Sequence, residues 1–205
     1  MLKIYGRGRT RSIKCLWAAE EARISYEYVS IDMSKGEHKS AEFDKLNPAQ
    51  KVPVLVDGEL TLSESAAICT YIGSRSKHSS LVPPDLSPER ALYDQWVSFV
   101  ISELEQPLWL QAKHTFVLPE NLRISNIREV ATYEWNKVLK PLAKQLEDRQ
   151  YVLGDSFSIA DIMIGYTLDW AKRAEFDINV GKIAEYHGRV MKRPAFLTAL
   201  SKAGV

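Results

Sequence analysis

The feature that most constrains this chain is the segment Lys51-Val52-Pro53-Val54-Leu55, followed shortly by Ser63-Glu64-Ser65. A proline at the mouth of an apolar strand lacks the N–H that a central strand needs. The backbone of Val52 is therefore free to face something other than a neighbouring strand. After an Asp57-Gly58 turn, the polar triplet opens an apolar helix and supplies side-chain acceptors beside free helix N–H groups. Together these residues predict a site for an extended peptide with charged ends.

The bulk properties narrow the remaining possibilities. At 205 residues the chain suits one large domain or two small ones with a real core. Lys and Arg number 27 against 26 Asp and Glu, so charge gives no general reason to expect nucleic acid or a membrane surface as partner. No apolar run approaches the roughly 18 residues that span a bilayer. The first residues, Met1-Leu2-Lys3-Ile4-Tyr5, read as a strand and not as a secretion signal. The two cysteines, Cys15 and Cys69, form no CxxC and fall in apolar helical patterns, which predicts buried structural thiols in a reducing cytoplasm. The four histidines, His38, His78, His114 and His187, are scattered without ligand spacing, so no metal is expected. Gly6-Arg7-Gly8 lacks the third glycine of a dinucleotide fingerprint. Its loop does end at a helix N-terminus, where N–H groups and hydroxyls favour an anion.

Periodicity divides the chain in two. Strand patterns at 2–5, 26–31, 52–56 and 59–62 alternate with helical patterns at 12–22, 41–45 and 63–74, giving the order β-α-β-α-β-β-α. The first two strands require parallel pairing and the last two antiparallel pairing. Residues 79–88 are rich in proline and serine and read as a linker. Everything beyond reads as helix: one from about 91 to 110, one from about 121 to 149 with a bend near Pro141, and a buried one from 159 to 173. A last helix spans about 180–192, and a short tail helix follows Pro194. Ser158-Ile159-Ala160-Asp161 predicts a capping box made with aspartate. The expected domains are 1–76, a linker at 77–88, and an all-helical domain at 89–205.

The first half, with Val52-Pro53 before its third strand, resembles a thioredoxin-like fold, and the helical second half narrows the likeness. As a whole the chain resembles the cytosolic glutathione S-transferases, of the serine type. The matching stretches are Tyr5-Gly6 with its hydroxyl-bearing loop, Trp17 to Glu21, Gly36-Glu37-His38-Lys39-Ser40, Asn47 to Pro53, Leu62 to Ile68, and Phe157 to Asp161. Each alone is weak, but six in order over the whole length are specific.

The resemblance implies an enzyme that binds glutathione as co-substrate, needs no cofactor, and joins the thiol to a small hydrophobic electrophile. Val52, across a cis bond to Pro53, would pair with the cysteinyl backbone. Glu64 and Ser65 would hold the γ-glutamyl end, and His38 and Lys51 would face the glycyl carboxylate. For Ser63-Glu64-Ser65 the alternative is a plain helix cap; for His38 it is a solvated loop position. Thr10 falls where serine-type members place their catalytic hydroxyl, and Ser12 competes because this loop is about a residue shorter. Tyr5 reads as core, and Cys15 lies too deep in its helix to act. Trp96, Phe99, Trp109, Phe116, Tyr166 and Trp170 are candidates to line the electrophile pocket. The resemblance also implies a homodimer. A glutathione-dependent isomerase, dehalogenase or thiol reductase on the same scaffold, or a non-catalytic binding module, are the alternatives.

Overall fold

The computed structural model describes residues 1–205. Four strands, β1 (Leu2–Gly6), β2 (Tyr26–Ser30), β3 (Val54–Asp57) and β4 (Leu60–Ser63), form one sheet in the order β2-β1-β3-β4. β1 and β2 are parallel, while β3 runs antiparallel to both β1 and β4. The parallel pair requires a crossover, which α1 (Ser12–Ala22) provides. The β3–β4 pair closes through Gly58-Glu59, with Gly58 at a φ of 61° that suits a residue without Cβ. This is the mixed sheet that the sequence pattern predicts, in a thioredoxin-like domain.

Helices cover both faces of the sheet. On one face α2 (Ala41–Leu46) sets Phe43 against Ile31 and Val54, with Tyr5, Val29 and Val52 packed around them. Tyr5 meets Phe43 edge to face at 6.4 Å between ring centres. On the other, α1 is buried on nearly every side, from Ser12 to Ala19, and packs with α3 (Ser65–Ser74).

The chain separates into two compact units, residues 1–82 together with 191–205, and residues 83–190. The final helix, α9 (Pro194–Lys202), thus belongs with the sheet, although composition groups it with the helical half. Its contacts explain this. Phe196 packs against Trp17 with ring centres 4.7 Å apart and planes tilted by 51°, and Arg193 grips the Glu21 carboxylate through two bonds of 2.5 and 2.8 Å. Lys202 reaches Glu20 at 2.6 Å. These are long-range contacts that no local pattern announces.

The helical unit contains α4 (Pro88–Phe99), α5 (Gln106–Ala112), α6 (Ile127–Gln145), α7 (Ile159–Arg173) and α8 (Ile183–Met191). The single helix expected from 91 to 110 is interrupted. Residues Val100–Leu104 widen into a π-helical turn, in which the Glu105 N–H donates to the Val100 carbonyl at 2.9 Å. Pro107 follows within the first turn of α5, where its missing N–H removes a continuous α-helical ladder. Likewise, the stretch expected to be helical from 121 begins only at Ile127, after a short 3-10 turn at Glu120–Leu122. Pro141 lies inside α6.

At the start of α7 the Asp161 carboxylate accepts from the Ser158 N–H and hydroxyl, both at 2.9 Å. It also accepts from the Val152 N–H at 2.9 Å and the Tyr186 hydroxyl at 2.8 Å. Burial pushes this carboxyl up from its ordinary range, against the pull of those bonds. No helix of the chain is long and apolar enough to cross a membrane.

Candidate active site

The sheet register brings the singled-out segments to one place. Tyr5 pairs with Val54, and Val54 pairs with Ser63; Gly6 pairs with Ser30 on the other side. The C-terminal end of β1, the N-terminal end of β3 and the C-terminal end of β4 therefore lie side by side. From this single end of the sheet emerge the Gly6–Arg11 loop, Val52-Pro53 and Ser63-Glu64-Ser65. The segment that carries His38 also starts there, after Ser30.

The loop after β1 carries the two hydroxyls. Thr10 is half-buried, and its Oγ1 donates to the Arg7 carbonyl at 2.7 Å. Ser12, the first residue of α1, is fully buried, with its Oγ 2.8 Å from Thr10 Oγ1. The Arg7 N–H donates to Ser12 Oγ at 3.3 Å. The residue that precedes α1 is Arg11, and it makes no side-chain cap, so Ser12 is not the helix cap that its position invites. The first N–H groups of α1 are thus without a side-chain acceptor from the cap position.

The second element is the loop ahead of β3. Asn47 is buried, and its amide donates to the Lys51 carbonyl at 2.8 Å while its Oδ1 accepts from the Ala49 N–H at 3.1 Å. The Gln50 N–H closes onto the Asn47 carbonyl at 2.8 Å, with Gln50 at a φ of 55°. This staple fixes the exposed Lys51 and delivers Val52, which joins Pro53 through a cis bond. Val52 lies outside the strand ladder, which begins at Val54. Sequence reasoning missed Asn47 as a positioning residue. The signal was present, since Asn-Pro-X favours an Asx turn.

The third element is the entry to α3. Glu64 is exposed and sits at φ 68° and ψ 115°, a region that costs a residue with a Cβ about 1–3 kcal/mol. Its side chain makes no cap. Ser65 is buried at the first position of α3. A strained, exposed carboxylate at an uncapped helix start is a ready partner for an ammonium group, with the helix N–H groups open to a carboxylate. His38 occupies a short 3-10 turn, Glu37–Lys39, with a buried Nδ1 that has no hydrogen-bond partner.

Other candidates are placed by burial. Cys15 is fully buried, and its thiol is pushed well above the usual range by that burial and then by a hydrogen bond with Cys69, so it is no nucleophile. Trp96 and Tyr166 are buried in the helical unit, Phe99, Trp109 and Trp170 are half-buried, and Phe116 is exposed. No three His, Cys, Asp or Glu side chains stand together to hold a metal ion.

Known proteins share this architecture. Residues 2–74 match the family described as glutathione S-transferase, N-terminal domain, and residues 125–198 match its C-terminal domain. Glutathione S-transferase 1 of Zea mays is 32% identical over 174 residues, covering 78% of this chain and 76% of its own. The disulfide-bond oxidoreductase YfcG of Escherichia coli is 28% identical over 211 residues, covering 99% of this chain and 96% of its own. Among solved structures, the ternary complex of BphK, a bacterial GST, superposes with a TM-score of 0.87 at 28% identity. That likeness covers 99% of this chain and all of BphK. The chain belongs to the glutathione S-transferase family. As a member it is a glutathione transferase, with glutathione as co-substrate and no further cofactor.

Proposed function

We propose that this protein activates the thiol of glutathione with Thr10 and conjugates it to an electrophilic carbon of small apolar molecules. The sheet register that gathers the Thr10 loop, Val52 and Glu64 at one end carries this reading. In it, the extended tripeptide pairs its cysteinyl backbone with Val52 as a short added strand. Its γ-glutamyl ammonium meets the Glu64 carboxylate, its γ-glutamyl carboxylate meets Ser65 and the first N–H groups of α3, and its glycyl carboxylate faces Lys51 and His38. The sulfur then points at the start of α1. There the Thr10 hydroxyl turns its proton from the Arg7 carbonyl to the sulfur and stabilises the thiolate, while the thiol proton leaves to solvent. The thiolate attacks carbon, and the leaving group departs with its electron pair.

The working unit in this reading is a two-fold homodimer in the cytoplasm. The dimer follows from the family resemblance, and the two unpaired thiols fit a reducing compartment. A second reaction has one specific support: the full-length similarity to a disulfide-bond oxidoreductase. In that reading the same thiolate attacks a disulfide sulfur, and two glutathiones are oxidised to one glutathione disulfide as the target disulfide is reduced.

Glutathione affinity and turnover, with an activated aryl halide and with a low-molecular-weight disulfide, test both readings. Conjugation should dominate in the wild type. Thr10→Ala should still bind glutathione and lose about a hundredfold in kcat/KM near neutral pH. Absence of glutathione binding at millimolar concentration would end the assignment of the site, and full activity of Thr10→Ala would end the role of Thr10.

A further inference from the structure

Thr10 and Ser12 do not present themselves equally. Ser12 has no exposed surface, and its Cβ and Oγ lie 2.5 and 2.6 Å from where a Cβ on Gly6 would stand. Only the absence of a side chain at position 6 leaves room for it. A hydroxyl packed this way under the backbone of β1 is closed to a ligand, whereas the half-buried Thr10 is not.

The hydrogen-bond directions follow from donor and acceptor chemistry. A carbonyl only accepts, so the single Thr10 proton goes to the Arg7 carbonyl. The contact of 2.8 Å between the hydroxyls must then carry the Ser12 proton towards Thr10 Oγ1. An N–H only donates, so Arg7 supplies its proton to Ser12 Oγ. The result is a closed circuit: Arg7 N–H to Ser12 hydroxyl, Ser12 hydroxyl to Thr10 hydroxyl, Thr10 hydroxyl to Arg7 carbonyl. The Ser12 N–H lies 3.4 Å from Thr10 Oγ1 and adds a second, longer donor.

We propose that Ser12 is a positioning residue that acts through Thr10. Its buried hydroxyl donates to Thr10 Oγ1, fixes that rotamer, and polarises the Thr10 O–H so that it becomes a stronger donor to the glutathione thiolate. The inference rests on the reading of Thr10 as the thiol-activating group. Hydrogen bonds in a chain strengthen one another where the dielectric is low, and a hydroxyl that already accepts a bond gives up its own proton more readily. When sulfur arrives, Thr10 must rotate its proton away from Arg7 while its oxygen stays in place. Ser12 holds that oxygen during the exchange. No atom is transferred to or from Ser12.

The test is a pH titration of thiolate ultraviolet absorbance in the glutathione complexes of wild type, Ser12→Ala, Thr10→Ala and the double variant. Ser12→Ala should move the midpoint of the bound thiol up by about half a unit, roughly threefold less thiolate below the midpoint, with glutathione affinity nearly unchanged. In the Thr10→Ala background the same change should move nothing further. Ser12→Cys, a weaker donor of similar size, should fall between wild type and Ser12→Ala and guards against a folding defect. An unchanged midpoint in Ser12→Ala, or an equal shift with and without Thr10, would overturn the proposal, the latter by showing that Ser12 acts on the sulfur itself. If Thr10→Ala alone leaves the midpoint where it is, the role of Thr10 fails first and the proposal falls with it.

Discussion

Two kinds of helix start in this molecule look alike in sequence and differ in structure. At α7 a serine and an aspartate face each other across the first turn, and every carboxylate bond is used within the fold. At α1 and α3 the polar residues Thr10, Ser12, Glu64 and Ser65 sit at comparable positions, yet neither helix has a side-chain cap. Elsewhere, Ser40 caps α2 through the Phe43 N–H at 3.1 Å, and Ser87 caps α4 through the Arg90 N–H at 3.0 Å. The helices α5, α6 and α9 also begin without a side-chain cap, so what sets α1 and α3 apart is that both start at the same end of the sheet. A capped start stabilises the fold; an uncapped one leaves its dipole and, at α3, its first N–H groups available to an anion. At α1 the Ser12, Ile13 and Lys14 N–H groups already donate to Thr10 and Arg11.

Substitutions separate the two kinds. The largest effect on stability is expected at α7. Asp161→Ala leaves four donors without their acceptor and should lower unfolding stability by about 4 kcal/mol, read from the urea midpoint. Whatever folds should keep the wild-type KM for glutathione, and a raised KM would blur the contrast. The entry to α3 should respond in the opposite sense. Glu64→Gly removes a side chain held at positive φ, so stability should rise by about 1 kcal/mol. The KM for glutathione should meanwhile rise about tenfold, through loss of a charge-assisted bond. A lower melting temperature would refute the strain, and an unchanged KM would remove Glu64 from the site. Asn47→Ala lies between these cases. It loosens the staple on Lys51, with an expected loss of about 1 kcal/mol in stability and about threefold in glutathione affinity. An effect on stability alone would make Asn47 purely structural.

The sequence carried the sheet, its hairpin and the α7 cap because each rests on a local pattern: alternation, Asp57-Gly58, and Ser158 spaced three residues from Asp161. It also singled out the segments that the register later brings together. What stayed hidden depends on packing between distant residues. α9 docks through Phe196 on Trp17 and Arg193 on Glu21, pairs more than 170 positions apart that no periodicity reveals. The break in the helix after Phe99 was partly legible, since Pro107 was visible, but the compensating π turn was not. Spacing favours Thr10 over Ser12 as the active hydroxyl but leaves Ser12 as a competitor. Burial, which depends on Gly6 lying directly over Ser12, and the direction of their hydrogen bonds, which Arg7 sets, distinguish them.

The most direct test of the comparison is a backbone amide NMR titration with glutathione. Saturable shifts should concentrate at the start of α1, at Val52, and at Ser65 to Ala67, while Val152, Ser158 and Asp161 stay silent. Shifts at the capped start of α7, or none at the starts of α1 and α3, would contradict the claim that these two helix starts form the glutathione site.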